Sequence, residues 1–310
     1  PQLSGSLLPG GIRSVFEDDQ HIRWIATTNG VSVYDQAASA AAFLPLLSVS
    51  DKEGANRMGG VYYDDISKCY FVCALDPACV FVVNSLTGEI KRISTDINDN
   101  KLYSCITIKV DNSKNLWLLT GNHVYQYNRT EGSFSLFPTP NNGSDIVFRD
   151  MLQDEEGNYW FASFNGGLFY YKTSDKKFSA FKDTSLNHLN TATGLAADIR
   201  GHMIIGGSFG ESVFTYNLFT GQTSGYYETP EAKDYSQLIL VNSIAKDNKG
   251  GIWVATHSGG LFRYNSGKVF EKTFTRFDMR SGLSTNNILS ICSDADSTLW
   301  LLSGKGISAM

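Results

Sequence analysis

The chain has 310 residues, 26 Lys and Arg against 31 Asp and Glu, a formal charge of −5 and a pI near 5.6. That balance leaves no basic stripe for a nucleic-acid or anionic-membrane surface. No apolar run approaches the roughly 18 residues of a spanning helix, and no signal peptide opens the chain. Twenty-nine glycines, 13% aromatic residues and only seven prolines suit short strands joined by tight turns.

In chain order, residues 1–11 (PQLSGSLLPGG) carry no pattern of their own. From Val15 onward one pattern recurs, and Asp247 to Asn265 (DNKGGIWVATHSGGLFRYN) shows it most fully. Six residues beyond Asp18, Asp111, Asp154, Asp247 and Asp294 stand Trp24, Trp117, Trp160, Trp253 and Trp300, which are all the tryptophans of the chain. Asp64 to Tyr70 and Asp198 to Ile204 keep the step with another residue in the Trp slot. The slots 24, 70, 117, 160, 204, 253 and 300 are 43 to 49 residues apart, a period that signals a propeller or solenoid.

Each position of the repeat has a physical reason. Three residues before each Asp is an apolar residue (Val15, Val61, Ile108, Met151, Leu195, Ile244, Ile291), which predicts a buried inner strand. Asp at the first corner with Gly at the fourth, as in Asp154–Gly157, Asp198–Gly201 and Asp247–Gly250, is type I turn chemistry. The other copies place His21, Ser67, Lys114 and Ser297 at that corner. Three residues past the slot comes a small side chain (Thr27, Cys73, Thr120, Ser163, Gly207, Thr256, Ser303), as a crowded strand end requires. A polar or Gly-rich turn follows, and then a third strand such as VSVYD, VYQYN or LFRYN. Outer strands are expected near Phe43–Leu47, Glu89–Ile93, Phe134–Phe137, Phe178–Phe181, Thr223–Tyr227 and Val269–Phe277.

The expected fold is all-β: a seven-bladed β-propeller of four-stranded antiparallel blades, one domain over residues 1–310, with no helix longer than a turn. A closed ring of this size is one unit with ample core. The seventh copy stops at Met310, short of its fourth strand, and the segment Leu3–Leu8 is expected to supply it so that no sheet edge is left open. The tryptophans are expected to pack blade on blade rather than stack on a ligand. Cysteine says little: Cys69, Cys73, Cys79, Cys105 and Cys292 form no metal-ligand run. The hairpin at Asp76-Pro77 brings Cys73 toward Cys79, and small buried thiols are favoured over a bridge.

The repeat, an apolar strand, then D-x-x-G-x-[IL]-W-[IVL]-[AG]-[TS], then G-G-[LV]-x-x-Y-[ND], resembles the two-component regulator propeller repeat. Asp247 to Asn265, Asp154 to Tyr171 and Asp294 to Ile307 match best, and SGLSTNNILSI at Ser281 to Ile291 is similar to that family's blade-to-blade loop. The second and fifth copies depart from it. WD repeats fit less well because no Trp here precedes Asp. The resemblance implies the periplasmic, extracytoplasmic sensor part of a hybrid two-component histidine kinase of Bacteroidetes. It implies detection of oligosaccharides, signalling to a kinase outside this chain, transcription regulation, and a homodimer in the full-length receptor. The chain accordingly reads as a soluble piece of something longer, meeting the membrane only through segments it lacks. The partners expected are an oligosaccharide or adjacent receptor domains.

In a propeller the loops leading into the inner strands and the turns after the Trp strands share one face, and the Asp turns take the other. The first set offers Arg13, Arg57, Tyr103, Arg149, His188, Asn190, Asn242 and Asn287. The turns add Asn29, Asn122, His123, Phe164, Asn165, Phe209, His257 and Lys305. Guanidinium and amide groups donate to sugar hydroxyls or carboxylates and rings cover apolar sugar faces. From these the candidate ligand-binding set is Arg13, Arg57, Tyr103, His123, Arg149, Phe164, Asn165, Phe209, His257 and Lys305. No catalytic residue, metal or cofactor is expected: the histidines come from separate blades, and no GxSxG elbow is present. An enzyme acting on carbohydrate, lyase or glycosidase, and a purely structural docking module are the alternatives.

Overall fold

The computed structural model describes residues 12–17, 22–27, 30–35, 40–44, 57–139, 146–181, 191–198, 200–207, 213–225, 240–265, 274–293 and 298–310. The chain is an all-β propeller whose described residues form antiparallel sheets, one for each repeat. Six sheets have four strands in sequential order and the sheet of the last repeat has three. Among the described residues the expectation of four-stranded blades is met in six repeats, and the last repeat shows three strands ending at Gly306–Ala309. Leu3–Leu8, proposed as a latch for this sheet, lie outside the described residues. The described residues contain one short helix, the 3₁₀ turn Met279–Ser281.

The chain divides into two compact units, Pro1–Asn141 and Asn142–Met310. The first holds the sheets of repeats one to three and the second those of repeats four to seven. Within each unit, consecutive sheets pack face to face. Trp24 stacks on Tyr70 of the following sheet with ring centroids 3.5 Å apart, and Trp160 meets Tyr216 of the following sheet at 5.4 Å. Trp253 lies in one cluster with Ile288, Ile291, Leu299 and Leu301 of the last sheet. The Trp slot is therefore a core position, buried at Trp24, Tyr70, Trp117, Trp160, Ile204 and Trp253.

The six-residue step from Asp to Trp has a chemical cause. The indole N–H of Trp117, Trp160 and Trp253 donates to Oδ2 of Asp111, Asp154 and Asp247 at 3.0, 3.0 and 2.8 Å. The other carboxylate oxygen accepts backbone amides of the turn, such as those of Ser113 and Asn115 on Asp111. Gly157, Gly201 and Gly250 take φ of 74° to 82° at the last corner, and Lys114 takes 64° in the same place. The two departing copies replace the missing indole. Arg129 donates through Nε and Nη2 to both oxygens of Asp64 at 2.8 Å, and His202 Nδ1 lies 3.2 Å from Asp198 Oδ2.

The Asn that ends the third strand is also explained. Oδ1 of Asn84, Asn128 and Asn217 accepts amides two and three residues on. Gly88, Gly132 and Gly221 close each loop with φ between 62° and 73°. Observed outer strands are Ala40–Leu44, Ile90–Ile93, Ser133–Phe137, Lys177–Ala180, Thr223–Gly225 and Phe274–Phe277, each within a few residues of the predicted span. Cys73 pairs with Val80 and Cys79 with Ala74, so the two thiols lie on opposite faces of the same hairpin. Both are free and fully buried, and burial pushes the Cys73 thiol far above its ordinary range.

Candidate functional site

Each inner strand begins with a β-bulge at the same level. Pairing skips Arg13 between Ile12 and Ser14, Gly59–Gly60 between Met58 and Val61, Ile106 between Cys105 and Thr107, and Arg149 between Phe148 and Asp150. It skips Thr193, Asn242 and Leu289 in the later sheets. A bulge re-aims one side chain and takes its residue out of the strand register. The bulges lie at the sheet end that also carries the turns after the Trp strands. Gly121 N donates to Tyr103 O at 3.4 Å, and His257 N donates to Leu240 O at 3.0 Å. The Asp corners and the loops after the third strands share the opposite end, where Ser85 N donates to Lys68 O and Leu218 N to Gly201 O. The two ends expected from sequence are thus separated within each unit.

The turns at the bulge end are held by the small residue that closes each Trp strand. Thr27, Ser163, Thr256 and Ser303 donate their hydroxyls to the carbonyls of Gly30, Gly167, Gly260 and Gly306 at 2.9 to 3.1 Å. Thr120 does the same to His123 O at 2.8 Å and accepts from His123 N at 3.0 Å. Sequence reasoning assigned this position to a steric need alone. The hydroxyl in five of the seven copies was the signal for a clamp.

In the first unit, Tyr103 is 62% exposed. A Cβ on Gly121 would lie 2.9 Å from two ring carbons of Tyr103, so the ring rests on a site only glycine leaves open. His123 is half-buried with its ring edge-on to Tyr125 at 6.1 Å. Burial depresses its pKa below the ordinary imidazole value, opposed by the Asp96 carboxylate. Asp96 is buried and accepts from the amides of Asn98 and Asn100 and from the Asn100 side chain. Arg13 lies on its bulge next to Ile12, which pairs with Thr27, and Arg57 starts its strand opposite Asp76; the side chains of Arg13 and Arg57 lie outside the described residues.

In the second unit, Arg149 is exposed on its bulge, Phe164 is half-buried and Asn165 is exposed in the left-handed region at φ 62°. His257 is exposed at the turn held by Thr256. Lys305 is exposed and its Nζ donates to Ser284 O at 3.0 Å. That bond ties the last sheet's turn to the loop 278–287, whose Asp278 caps the 3₁₀ turn and whose Asn286 O accepts from Gly260 N. The bulge residues Thr193 and Asn242 donate to Val241 O and Ile288 O of the next sheet, both at 2.9 Å. Arg149, Phe164, Asn165, Asn242, His257 and Lys305 therefore share one end of this unit. Asn242 is bound into the scaffold. Phe209, His188, Asn190 and Asn29 lie outside the described residues. Among the described residues no group of three or more His, Cys, Asp or Glu could hold a metal, and no helix is long and apolar enough to cross a membrane.

No known family model matches the chain, and no curated protein matches it. Solved structures of similar fold exist. The extracellular domain of a putative hybrid two-component system from B. thetaiotaomicron superposes with a TM-score of 0.73 at 19% identity, covering 99% of this chain and 39% of that one. Another such domain from the same organism gives a TM-score of 0.56 at 18% identity, with 96% and 50% covered. Virginiamycin B lyase from Staphylococcus aureus gives 0.71 at 14% identity, with 96% and 93% covered. The chain spans about two fifths of the first of these domains. At such identities the likeness is one of fold: a propeller of the kind found in extracellular sensor domains and in that lyase.

Proposed function

We propose that the chain is the ligand-sensing propeller of an extracytoplasmic receptor of the hybrid two-component type, seven-bladed and acting as a single domain, with the signalling chemistry outside it. The observation that carries this reading is the likeness over 99% of the chain to the extracellular domain of such a system, of which it spans 39%. The ligand is a glycan fragment in the periplasm, taken at the bulge end of the sheets. In the second unit Arg149, Asn165, His257 and Lys305 supply donors there and Phe164 a ring face; in the first unit Tyr103 supplies a ring face. Arg13, Arg57, His123 and Phe209 complete the proposed set. Binding biases the placement of two receptor copies.

A thermal-shift screen against plant, host and microbial oligosaccharides tests this. A ligand at a hundredfold excess over its dissociation constant stabilises the native state by about 2.7 kcal/mol. A hit without cleavage by chromatography, lost in Arg149→Ala or His257→Ala, supports the sensor. The likeness to virginiamycin B lyase, covering 93% of that enzyme, supports a second reading as a lyase, for which the same chromatography would show product. Silence across the panel moves the proposal to a docking module.

A further inference from the structure

Buried carboxylates among the described residues are Asp64, Asp96, Asp111, Asp150, Asp154, Asp198 and Asp247. All but Asp150 stand at a repeat corner or in a loop turn. Asp150 lies on the inner strand Val147–Gln153, one residue past the Arg149 bulge, and is 5% exposed. Its Oδ1 accepts from Met151 N at 2.8 Å, and its Oδ2 accepts from Leu195 N of the next inner strand at 2.9 Å.

The joint itself does not need a charge. At the equivalent joint between the sixth and last repeats, Ser243 Oγ accepts from Ile291 N at 3.4 Å. Between the fifth and sixth, Gly194 offers no side chain, and a Cβ there would lie 3.2 Å from Ile244 N. A hydroxyl or nothing suffices at those joints, whereas a buried carboxylate is costly unless its bonds compensate. The carboxylate occurs where the preceding bulge presents an exposed arginine. Thr193, Asn242 and Leu289, the other bulge residues of this unit, are uncharged.

We infer that Asp150 is a positioning residue for Arg149. It pins the backbone immediately after the bulge to both its own strand and the next, so that Arg149 projects from a fixed support toward an anionic ligand group. This rests on the reading of Arg149 as a ligand contact. A preorganised arginine loses less freedom on binding a carboxylate than a mobile one.

The test is the Nε–Hε NMR signal of Arg149, assigned with Arg149→Lys, in the ligand-free domain and during titration with sodium D-glucuronate, with D-glucose as the neutral control. In the wild type the Arg149 Nε order parameter is expected to exceed that of the exposed Arg280 in the same sample. An equal value overturns the inference without recourse to any variant. In Asp150→Asn and Asp150→Ser the ligand-free signal moves and broadens, and glucuronate binding weakens by about fivefold or more, while Arg149→Lys leaves the melting temperature unchanged. A ligand-free Arg149 signal unchanged in both Asp150 variants, with only the melting temperature lowered, reduces Asp150 to a structural strut. No response of Arg149 to glucuronate in the wild type counts against the ligand reading instead, and leaves the ligand-free comparison to decide on Asp150.

Discussion

The indole N–H of Trp253 donates to Asp247 Oδ2 at 2.8 Å, so the residue that fills the core of its blade also completes the turn six residues earlier. Burial alone would push the Asp247 carboxyl up. The bonds from Trp253 and from the amides of Gly251 and Lys249 hold it below the usual range instead. A depressed carboxyl contributes stability that is present above its unfolded pKa of about 3.9 and is lost as pH falls through the folded value. Trp253→Phe keeps an aromatic ring and removes the donor. It is expected to cost about 2–4 kcal/mol at neutral pH and to move the acid limb of the stability profile to higher pH. Urea unfolding from pH 7 to pH 3 checks both, and an acid limb unmoved by the substitution contradicts the role given to the indole.

Where the second repeat lacks its indole, Arg129 reaches Asp64 from the loop after the third strand of the next sheet. Its Nη2 also donates to Lys114 O. Asp64 is 2% exposed and Arg129 24%, so removing the cation strands a buried anion. Arg129→Met is expected to cost about 3 kcal/mol, measured by chemical denaturation. Asp64→Asn in the same background should recover part of the loss, and a cycle showing no coupling between the two sites would contradict the substitution of guanidinium for indole.

Gly59 offers a steric test of how closely adjacent inner strands approach. A Cβ there would sit 2.2 Å from Ile106 O and 2.8 Å from Cys105 O, both backbone atoms of the next sheet. Gly59→Ala is expected to cost more than about 2 kcal/mol. Gly304→Ala, with open space around it, should stay within about 0.5 kcal/mol. Equal thermal shifts for the two would mean that the sheets are not packed as described.

His123 should titrate below the ordinary imidazole value of about 6.5, because burial disfavours its charged form. Its neutral form then favours folding, so its contribution to stability is present at higher pH and declines as pH falls through about 6.5 toward the folded value. Asp96 opposes the depression, so Asp96→Asn should lower the midpoint further. Titration of the His123 Cε1–H signal by NMR reads this directly. A midpoint that rises in Asp96→Asn would show that the carboxylate acts through local structure rather than charge.

Period, corner and slot were legible in the chain because each reflects a constraint within about twenty residues: an Asp that closes its own turn, a Trp that reaches back to it, an Asn that caps its own hairpin. The separation of the two sheet ends was legible for the same reason, since it follows from strand order. The bulges were not, because an extra residue in one strand is visible only against its partner, and Arg149 reads in sequence like any other strand residue. The roles of Arg129 and His202 were hidden too. Each answers a missing indole, and Arg129 does so from 65 residues away. Asn242 was placed by sequence on the face that offers the ligand donors and is spent on Ile288 O, a contact 46 residues distant in sequence. The hydroxyl clamps at Thr120, Ser163 and Thr256 could have been found, since Ser or Thr fills a slot that Ala would satisfy on size alone.

The bulges have one more consequence. A residue outside the strand register can be exchanged without disturbing the ladder on either side of it, so most of these positions can vary in chemistry at little cost to folding. The exceptions are Gly59, locked by the carbonyls in front of it, and Thr193 and Asn242, bonded to carbonyls of the next sheet. The scaffold thus separates what must stay fixed, the corners and slots at mid-strand and below, from a set of places where side-chain chemistry can change one sheet at a time. Residues such as Arg149 or Leu289 can then change while the folding code stays intact.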